Sequence, residues 1–252
     1  LKIKRVGIKE IVAADLLLMK DIIELLTNYY SVVREINLKH VFDAFAKSLQ
    51  EELSFINEQK NIQLFARNFR DNNDTLTMQV FPELCNDNIL CISYIDGIKI
   101  NNKAGILAAN LDPETILDKC FNLYLTQMLE HGFFHADPHP GNIFVTSSGK
   151  ISFIDLGAVA KISSNDKDLL EDFVVYFIYK DASRLVSTLK KMALHVDIKD
   201  EKLLIRDFQE MLDIINTSSL EELDIKALFS KFSHLLNDNN IIMPEHIYLL
   251  VK

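Results

Sequence analysis

The residues best suited to chemistry lie in two short stretches near the middle of the chain. The first is His135-Ala136-Asp137-Pro138-His139-Pro140-Gly141-Asn142, and the second is Asp155-Leu156-Gly157. Phosphoryl transfer needs a carboxylate that orients the attacking hydroxyl, and it needs oxygen ligands for Mg²⁺. Asp137 is suited to the first task and precedes Asn142 by five residues, while Asn142 and Asp155 are suited to the second. The pattern therefore predicts phosphoryl-transfer chemistry.

The elements around these stretches must bring the two predicted metal ligands together. Two prolines and a glycine predict a loop for residues 135–142. Residues 143–145 and 151–154 are rich in Ile, Val and Phe, and Ser147-Ser148-Gly149 separates them, which predicts a β-hairpin. Because Asn142 and Asp155 bracket the two strands, the hairpin places them side by side.

Two other interpretations of the loop remain open. Asp137 and Asn142 are also common as caps of turns in a polar surface loop. His135, Asp137 and His139 alternate along an extended segment and would share a face, as in a metal site. That metal site lacks a third anchored ligand and leaves Asp155 without a role. We therefore expect His135 to be a buried residue that orients the loop, and His139 to make a structural hydrogen bond.

The remaining pattern mixes strands with a larger number of helices. Residues 1–5 alternate apolar and basic like a strand, and residues 77–81 and 89–95 predict two more strands. Apolar spacing of three and four predicts helices over residues 8–30 and 38–69, from Pro113 to the stop at Gly132, and in most of the chain after Asn165. The chain is therefore expected to be an α+β protein.

The charge of the chain argues against one class of partner. The 252 residues carry a net charge of −9 and a pI of about 5.3, which argues against nucleic acid as a partner. A bound nucleotide would need a local lysine or metal to neutralise its phosphates.

The cysteines and the absence of apolar runs bear on the location of the protein. Cys85, Cys91 and Cys120 lack metal-ligand spacing and are expected to be reduced thiols. With no signal peptide or apolar run of about 20 residues, the expected location is cytoplasmic. The absence of an initial methionine suggests a piece of a longer protein.

At this point the residues show a resemblance to a known family. His-Ala-Asp-Pro-His-Pro-Gly-Asn followed by Asp-Leu-Gly resembles the UbiB family of atypical kinases, also called the AarF family. Residues 1–7 resemble the family's strand with the ATP-site lysine, although Val6 replaces a proline. Residues 52–61 resemble its long helix, and residues 80–84 and 94–97 resemble the strand pair before its interlobe connection. The resemblance covers nearly the whole chain.

The resemblance implies a role for each matching residue. Lys2 resembles the lysine that contacts the α- and β-phosphates of ATP, and Glu58 resembles the helix glutamate that pairs with it. Asp137 resembles the catalytic aspartate, and Asn142 and Asp155 resemble the Mg²⁺ ligands. Four departures concern gating rather than the metal. The Lys-x-Gly-Gln motif and the alanine-rich loop would precede Leu1, and Ser54 and Ser93 stand where the family usually has acidic residues.

The fold implied is a two-lobed, protein-kinase-like α+β domain. Residues 1–100 would form an incomplete small lobe, and residues 101–252 a mainly helical large lobe. The implied function is that of an Mg²⁺- and ATP-dependent atypical kinase or ATPase that supports isoprenoid quinone (ubiquinone) or lipid metabolism. A lipid or quinone precursor as ligand, and peripheral association with a membrane surface, would follow.

Two alternative functions stay open. One is a nucleotide-binding scaffold without turnover, because binding alone needs the same metal ligands. The other is a small-molecule phosphotransferase like the aminoglycoside and choline kinases, which share a similar His-x-Asp-x-x-x-x-Asn loop. The Pro-His-Pro-Gly run and the helix of Glu58 favour the UbiB type over the second alternative.

Overall fold

The computed structural model describes residues 1–29, 38–217, 225–244 and 247. It divides the chain into two compact units. The first unit comprises Leu1–Leu123 and Pro138–Val159, and the second comprises Tyr124–Asp137 and Ala160–Lys252. This division does not coincide with the lobe boundary expected near residue 101, which stays a prediction.

The N-terminal part of the first unit is a short strand followed by three helices. They are β1 (Lys2–Ile3), α1 (Ile8–Tyr29), α2 (Leu38–Glu52) and α3 (Phe55–Asn68). The expected end of α1, residue 30, lies outside the described residues. A single helix over residues 38–69 was wrong, because Ser54 interrupts it. The Ser54 hydroxyl accepts a 3.3 Å hydrogen bond from the Asn57 N–H, and this cap starts a new helix.

The predicted pair of strands after α3 is shorter than expected. β2 (Ile89–Leu90) pairs antiparallel with β1, with Lys2 opposite Leu90. Residues 77–81 form no continuous strand and contribute one isolated bridge, Val80 to Ile92. The physical reason lies in two groups that leave the ladder: Pro82 has no N–H and begins a 3₁₀ turn, and the Gln79 N–H donates to the Ser93 hydroxyl.

A three-stranded sheet completes the first unit. β3 (Ile98–Lys99) pairs with β5 (Ile143–Val145), which pairs with β6 (Ile151–Phe153), both antiparallel. The predicted hairpin is confirmed, and its turn uses Gly149 at a φ of +74°. β3 was not predicted. Two helices, α4 (Lys103–Ala108) and α5 (Pro113–Leu125), follow β3 in the sequence.

The core of the first unit joins α3 to the hairpin. Phe65 of α3 stacks on Phe69 at 4.7 Å between ring centroids and contacts Phe153 of β6 edge-on at 5.7 Å. These three rings are almost completely buried, as is Ile62 one turn before them. The burial of such large apolar side chains fixes α3 against the strand that leads into Asp155.

The second unit is mainly helical. It contains β4 (Phe133–His135), β7 (Val159–Lys161) and the helices α6 (Ser164–Ile178), α7 (Ala182–Met192), α8 (Glu201–Thr217) and α9 (Ile225–Asp238). The prediction of helices after Asn165 is confirmed, while β4 and β7 were not predicted. Asp181 caps α7, and α7, α8 and α9 share one buried apolar cluster that includes Leu185 and Phe208. No helix in the described residues is long and apolar enough to span a bilayer.

Candidate active site

Lys2 and Glu58 form the centre of the candidate site. The Lys2 ammonium donates a 2.6 Å hydrogen bond to Glu58 Oε1. β1 presents Lys2, and the first turn of α3 presents Glu58, whose side chain is 2% exposed. Glu52, another acid of the segment that resembles the family's long helix, is exposed at the end of α2. The pairing of Lys2 with Glu58 that the resemblance implies is therefore present.

The electrostatics of Glu58 reflect its burial. Loss of water around the carboxylate raises the pKa of Glu58 above its usual value, and this effect outweighs the ammonium of Lys2, which lowers it. The negative charge of Asp155 raises it further, and a backbone hydrogen bond from Leu156 lowers it. Glu58 is thus a charged group that the fold keeps out of water beside one cation.

Asp155 is the second carboxylate of the site. Its Oδ2 lies 3.3 Å from the Lys2 ammonium, and its Oδ1 accepts the Gly157 N–H at 3.1 Å. The side chain is 40% exposed, in contrast to Glu58. Lys2 therefore lies between a buried carboxylate and a solvent-accessible one. A carboxylate that solvent reaches is the kind of oxygen ligand that Mg²⁺ takes.

Asn142 lies at the same end of the hairpin as Asp155. It ends a 3₁₀ turn, Pro140–Asn142, which lies within the predicted loop. Its C=O accepts the Ile154 N–H at 2.9 Å, one step beyond the Ile143–Phe153 pair of the ladder. The backbone thus places Asn142 beside the residues that lead into Asp155, as expected. That the two side chains share a metal ion stays a prediction.

An apolar cavity of about 360 Å³ opens beside Lys2 in the first unit. The lining is mostly apolar and includes Met78, Ile92, Ile95, Phe144 and Ile154. Ile154 directly precedes Asp155, and Lys2 itself lines the cavity. The site therefore combines an apolar recess with a cation at its rim, and two carboxylates contact that cation. This is a pattern expected of a small-ligand site.

Asp137 belongs to the second unit, where it is exposed just after β4. Its N–H donates a 3.1 Å hydrogen bond to Nδ1 of His135, which is 1% exposed. The His135 N–H donates to Gln127 Oε1, and its C=O accepts from the Tyr124 hydroxyl. Burial raises the pKa of Tyr124 to about 12, so this hydroxyl stays a donor. The catalytic role of Asp137 stays a prediction.

Two residues that support the backbone beside Asp155 and at His135 were not identified from the sequence. The Asn61 amide donates a 2.9 Å hydrogen bond to the Leu156 C=O, and Gln127 is a fully buried amide in a π-helical turn. Asn61 follows Glu58 by three residues, so helical spacing alone places both on one face. Gln127 lies in an apolar helix pattern, and nothing in that pattern marks it except its polarity.

The alternative metal site of His135, Asp137 and His139 finds no support in the geometry. Among the described residues, no three His, Cys, Asp or Glu side chains lie close enough to hold an ion. Nδ1 of His135 accepts the Asp137 N–H, and Nδ1 of His139 accepts the Gly141 N–H at 3.0 Å. Both rings thus have the structural role that the sequence predicts for them.

Comparisons with known proteins identify the family of the chain. A profile of the ABC1 atypical kinase-like domain matches residues 1–189. The chain is 28% identical over 252 residues to Protein ACTIVITY OF BC1 COMPLEX KINASE 1, chloroplastic, of Arabidopsis thaliana, covering 100% of the chain and 37% of that protein. It is 33% identical over 206 residues to Protein ACTIVITY OF BC1 COMPLEX KINASE 8, chloroplastic, of the same plant, covering 79% and 27% respectively.

A bacterial relative and a solved structure extend the comparison. An uncharacterized protein of the hydrogenase 1 5′ region of Clostridium pasteurianum is 29% identical over 251 residues, which is 47% of its length. The chain therefore spans less than half of each of these three relatives. The structure of Rv3197 with erythromycin, from Mycobacterium tuberculosis, superposes with a TM-score of 0.57 at 20% identity, over 82% of this chain and 53% of that one. The profile match and this likeness confirm the predicted α+β, kinase-like fold.

Proposed function

The chain belongs to the ABC1 atypical kinase-like family, and from this membership we propose that it binds ATP with Mg²⁺ and cleaves or transfers the γ-phosphoryl group. The observation that carries the proposal is the position of Lys2. Its ammonium lies at the rim of an apolar cavity, between the buried Glu58 and the accessible Asp155. A lysine held in this way is suited to the phosphates of a nucleotide whose base occupies the cavity.

Each residue of the first unit has a distinct part in binding. The cavity removes the apolar faces of the base from water, and Lys2 neutralises phosphate charge beside it. Glu58 orients the lysine, because a buried carboxylate fixes a flexible ammonium at one place. Without Glu58 the Lys2 ammonium would be free to pair with Asp155 alone, and that would withdraw Asp155 from other ligands.

The donor set at the hairpin end fits Mg²⁺. Asp155 offers a carboxylate that is 40% exposed, and Asn142 offers an amide oxygen, which are the hard oxygen ligands that this ion takes. The Gly157 N–H fixes one Asp155 oxygen and leaves the other facing a cation, Lys2. When bound, Mg²⁺ would neutralise charge on the phosphates; Asn142 and Asp155 would hold it.

Asp137 is proposed to act on the acceptor. Its carboxylate would orient, or take a proton from, the attacking hydroxyl or water. The hydrogen bond from its N–H to His135 fixes the backbone from which the carboxylate projects. We propose the same site for either outcome, phosphoryl transfer or ATP hydrolysis.

The cellular role is proposed from the family. The resemblance to UbiB proteins and the relatives named as kinases of the BC1 complex support a role in isoprenoid quinone or lipid metabolism at a membrane. The match to the ABC1 profile favours this class over the aminoglycoside and choline kinases. A scaffold that binds nucleotide without turnover would use the same binding residues, so only a measurement of ATP turnover separates it from an enzyme.

Thermal unfolding with nucleotide tests the proposal. ATP or ADP at about 100 times Kd, with Mg²⁺, should raise the Tm by roughly 5–10 °C, and much less without Mg²⁺. Lys2→Met should abolish the shift, whereas Lys99→Met, an exposed lysine in the equally short β3, should preserve it. No shift in the wild type, or an equal shift without Mg²⁺, would refute the proposal.

A further inference from the structure

We propose that Asn61 is a positioning residue of the metal site, which holds Asp155 in place through the backbone of Leu156. The proposal adds a residue to the site that the family membership does not assign. Its consequence for metal binding rests on the proposed function, whereas its structural part does not. A side-chain hydrogen bond from α3 to the backbone of the residue that follows Asp155 carries the proposal.

The contact involves two side chains one helical turn apart. The Asn61 Nδ2 donates to the Leu156 C=O at 2.9 Å, and the Leu156 backbone N–H lies near enough to the Glu58 carboxylate to lower the pKa of Glu58. Residues three apart lie on one face of a helix, so Glu58 and Asn61 reach the same peptide segment. The Leu156 side chain is 1% exposed, which fixes the residue from its apolar side as well.

The segment held in this way carries Asp155. Asp155 directly precedes Leu156, and its Oδ1 accepts the N–H of Gly157, directly after Leu156. A Cβ at Gly157 would lie 3.2 Å from that oxygen, so a larger residue would press on the carboxylate. Fixing Leu156 therefore fixes the turn that aims Asp155 at Lys2, 3.3 Å away.

The chemistry of the contact explains why the residue is an asparagine. The Leu156 carbonyl needs a donor, and a neutral amide supplies one without adding charge beside Glu58 and Asp155. An aspartate of the same size would place a third carboxylate against a carbonyl oxygen and two acids. A leucine would leave the carbonyl without its partner from α3.

Hydrogen–deuterium exchange of the ligand-free protein tests the structural part. In Asn61→Leu, amides of residues 154–158 should exchange roughly fivefold faster, as expected from the loss of one hydrogen bond. Gln63→Leu, an exposed amide on the same helix, is the matched control and should exchange like the wild type. If the Leu variant fails to fold, the isosteric Asn61→Asp provides the same test. Unchanged exchange in the folded variant would overturn the proposal.

Magnesium dependence of nucleotide binding tests the functional part. The Mg²⁺ concentration for half-maximal ADP binding should rise about fivefold in Asn61→Leu, while metal-free ADP affinity should stay unchanged. Asn61→Asp should raise it further. An equal loss with and without Mg²⁺ would indicate general damage and overturn the positioning role. If the wild type shows no Mg²⁺-dependent binding, the proposed function fails, and the exchange result alone decides the role of Asn61.

Discussion

Lys2 Nζ and Glu58 Oε1 lie 2.6 Å apart although 56 residues separate them in the chain. One comes from a two-residue strand near the start of the chain, and the other from the first turn of a helix capped by Ser54. The pair thus connects two elements that are far apart in the sequence. Its two members differ in exposure, 37% for Lys2 and 2% for Glu58, and this difference leads to two opposite predictions.

Removal of the lysine should destabilise the fold. Lys2→Met leaves the buried Glu58 carboxylate without its cation, and one broken buried pair costs about 3–5 kcal/mol. Because Lys2 is partly exposed, we expect a smaller loss, about 1–3 kcal/mol in the free energy of unfolding. Urea denaturation without nucleotide measures it. The double variant Lys2→Met with Glu58→Gln should recover most of the loss; a double variant as unstable as Lys2→Met would contradict the pairing.

Removal of the glutamate charge, unlike removal of the lysine, should not destabilise the fold at neutral pH. The pKa of Glu58 is higher in the folded protein than its usual value of 4.5, so the folded state binds the proton more tightly. Stability from Glu58 is therefore lost as pH rises from about 4.5 through the raised pKa. Glu58→Gln should lack this decline and be at least as stable as the wild type at pH 7. A stability difference that is constant from pH 4 to 8 would disprove this.

The sequence predicted the hairpin between Asn142 and Asp155 better than it predicted the elements that carry Lys2 and Glu58. The spacing of Asp137, Asn142 and Asp155 is local, and a hairpin between the last two needs no tertiary information. The break at Ser54 was missed because the apolar spacing on both sides of it continues, and a single hydroxyl decides it. The strand at residues 77–81 was overestimated because the Ser93 side chain competes for a backbone N–H of that segment.

The tertiary contacts of the site had no signal of their own in the sequence. Lys2 and Glu58 were paired through family resemblance, since a glutamate in an amphipathic helix is ordinarily a solvated charge. The bond from Asn61 to Leu156 depends on the packing of α3 against β6, which the rings of Phe65 and Phe153 determine. Such contacts follow from the arrangement of elements, and the order of residues alone does not contain them.

Substitution of His135 should reduce turnover according to its hydrogen-bonding ability. His135→Leu removes the Nδ1 acceptor for the Asp137 N–H, and we expect a loss of at least about tenfold in kcat. In His135→Asn, the amide oxygen lies close to the place of Nδ1 and should restore most of this loss. Nucleotide affinity should stay the same in both variants. Steady-state kinetics measures kcat, and equal kcat in both variants would show that the acceptor has no part in catalysis.

Asp137 should matter for turnover and little for binding. Asp137→Asn keeps the size of the side chain and removes its negative charge, so ATP turnover should fall about 10²–10⁴-fold. Mg²⁺-nucleotide affinity should stay within roughly tenfold, about 1.4 kcal/mol. Full turnover in this variant would exclude the assigned mechanism. A wild type without turnover, together with Asp137→Asn and Asp155→Asn variants that both support the cellular pathway, would identify the protein as a scaffold.

The most direct test of the site is a calorimetric titration of ADP into the wild type and into Asp155→Asn, each with and without Mg²⁺. Asp155, held beside Lys2 at 3.3 Å, would hold the Mg²⁺ on which tight nucleotide binding depends. The wild type should bind ADP more tightly with Mg²⁺, by at least about tenfold, and Asp155→Asn should lose this gain while its metal-free affinity stays similar. An Asp155→Asn protein that retains the full Mg²⁺-dependent gain would contradict the claim.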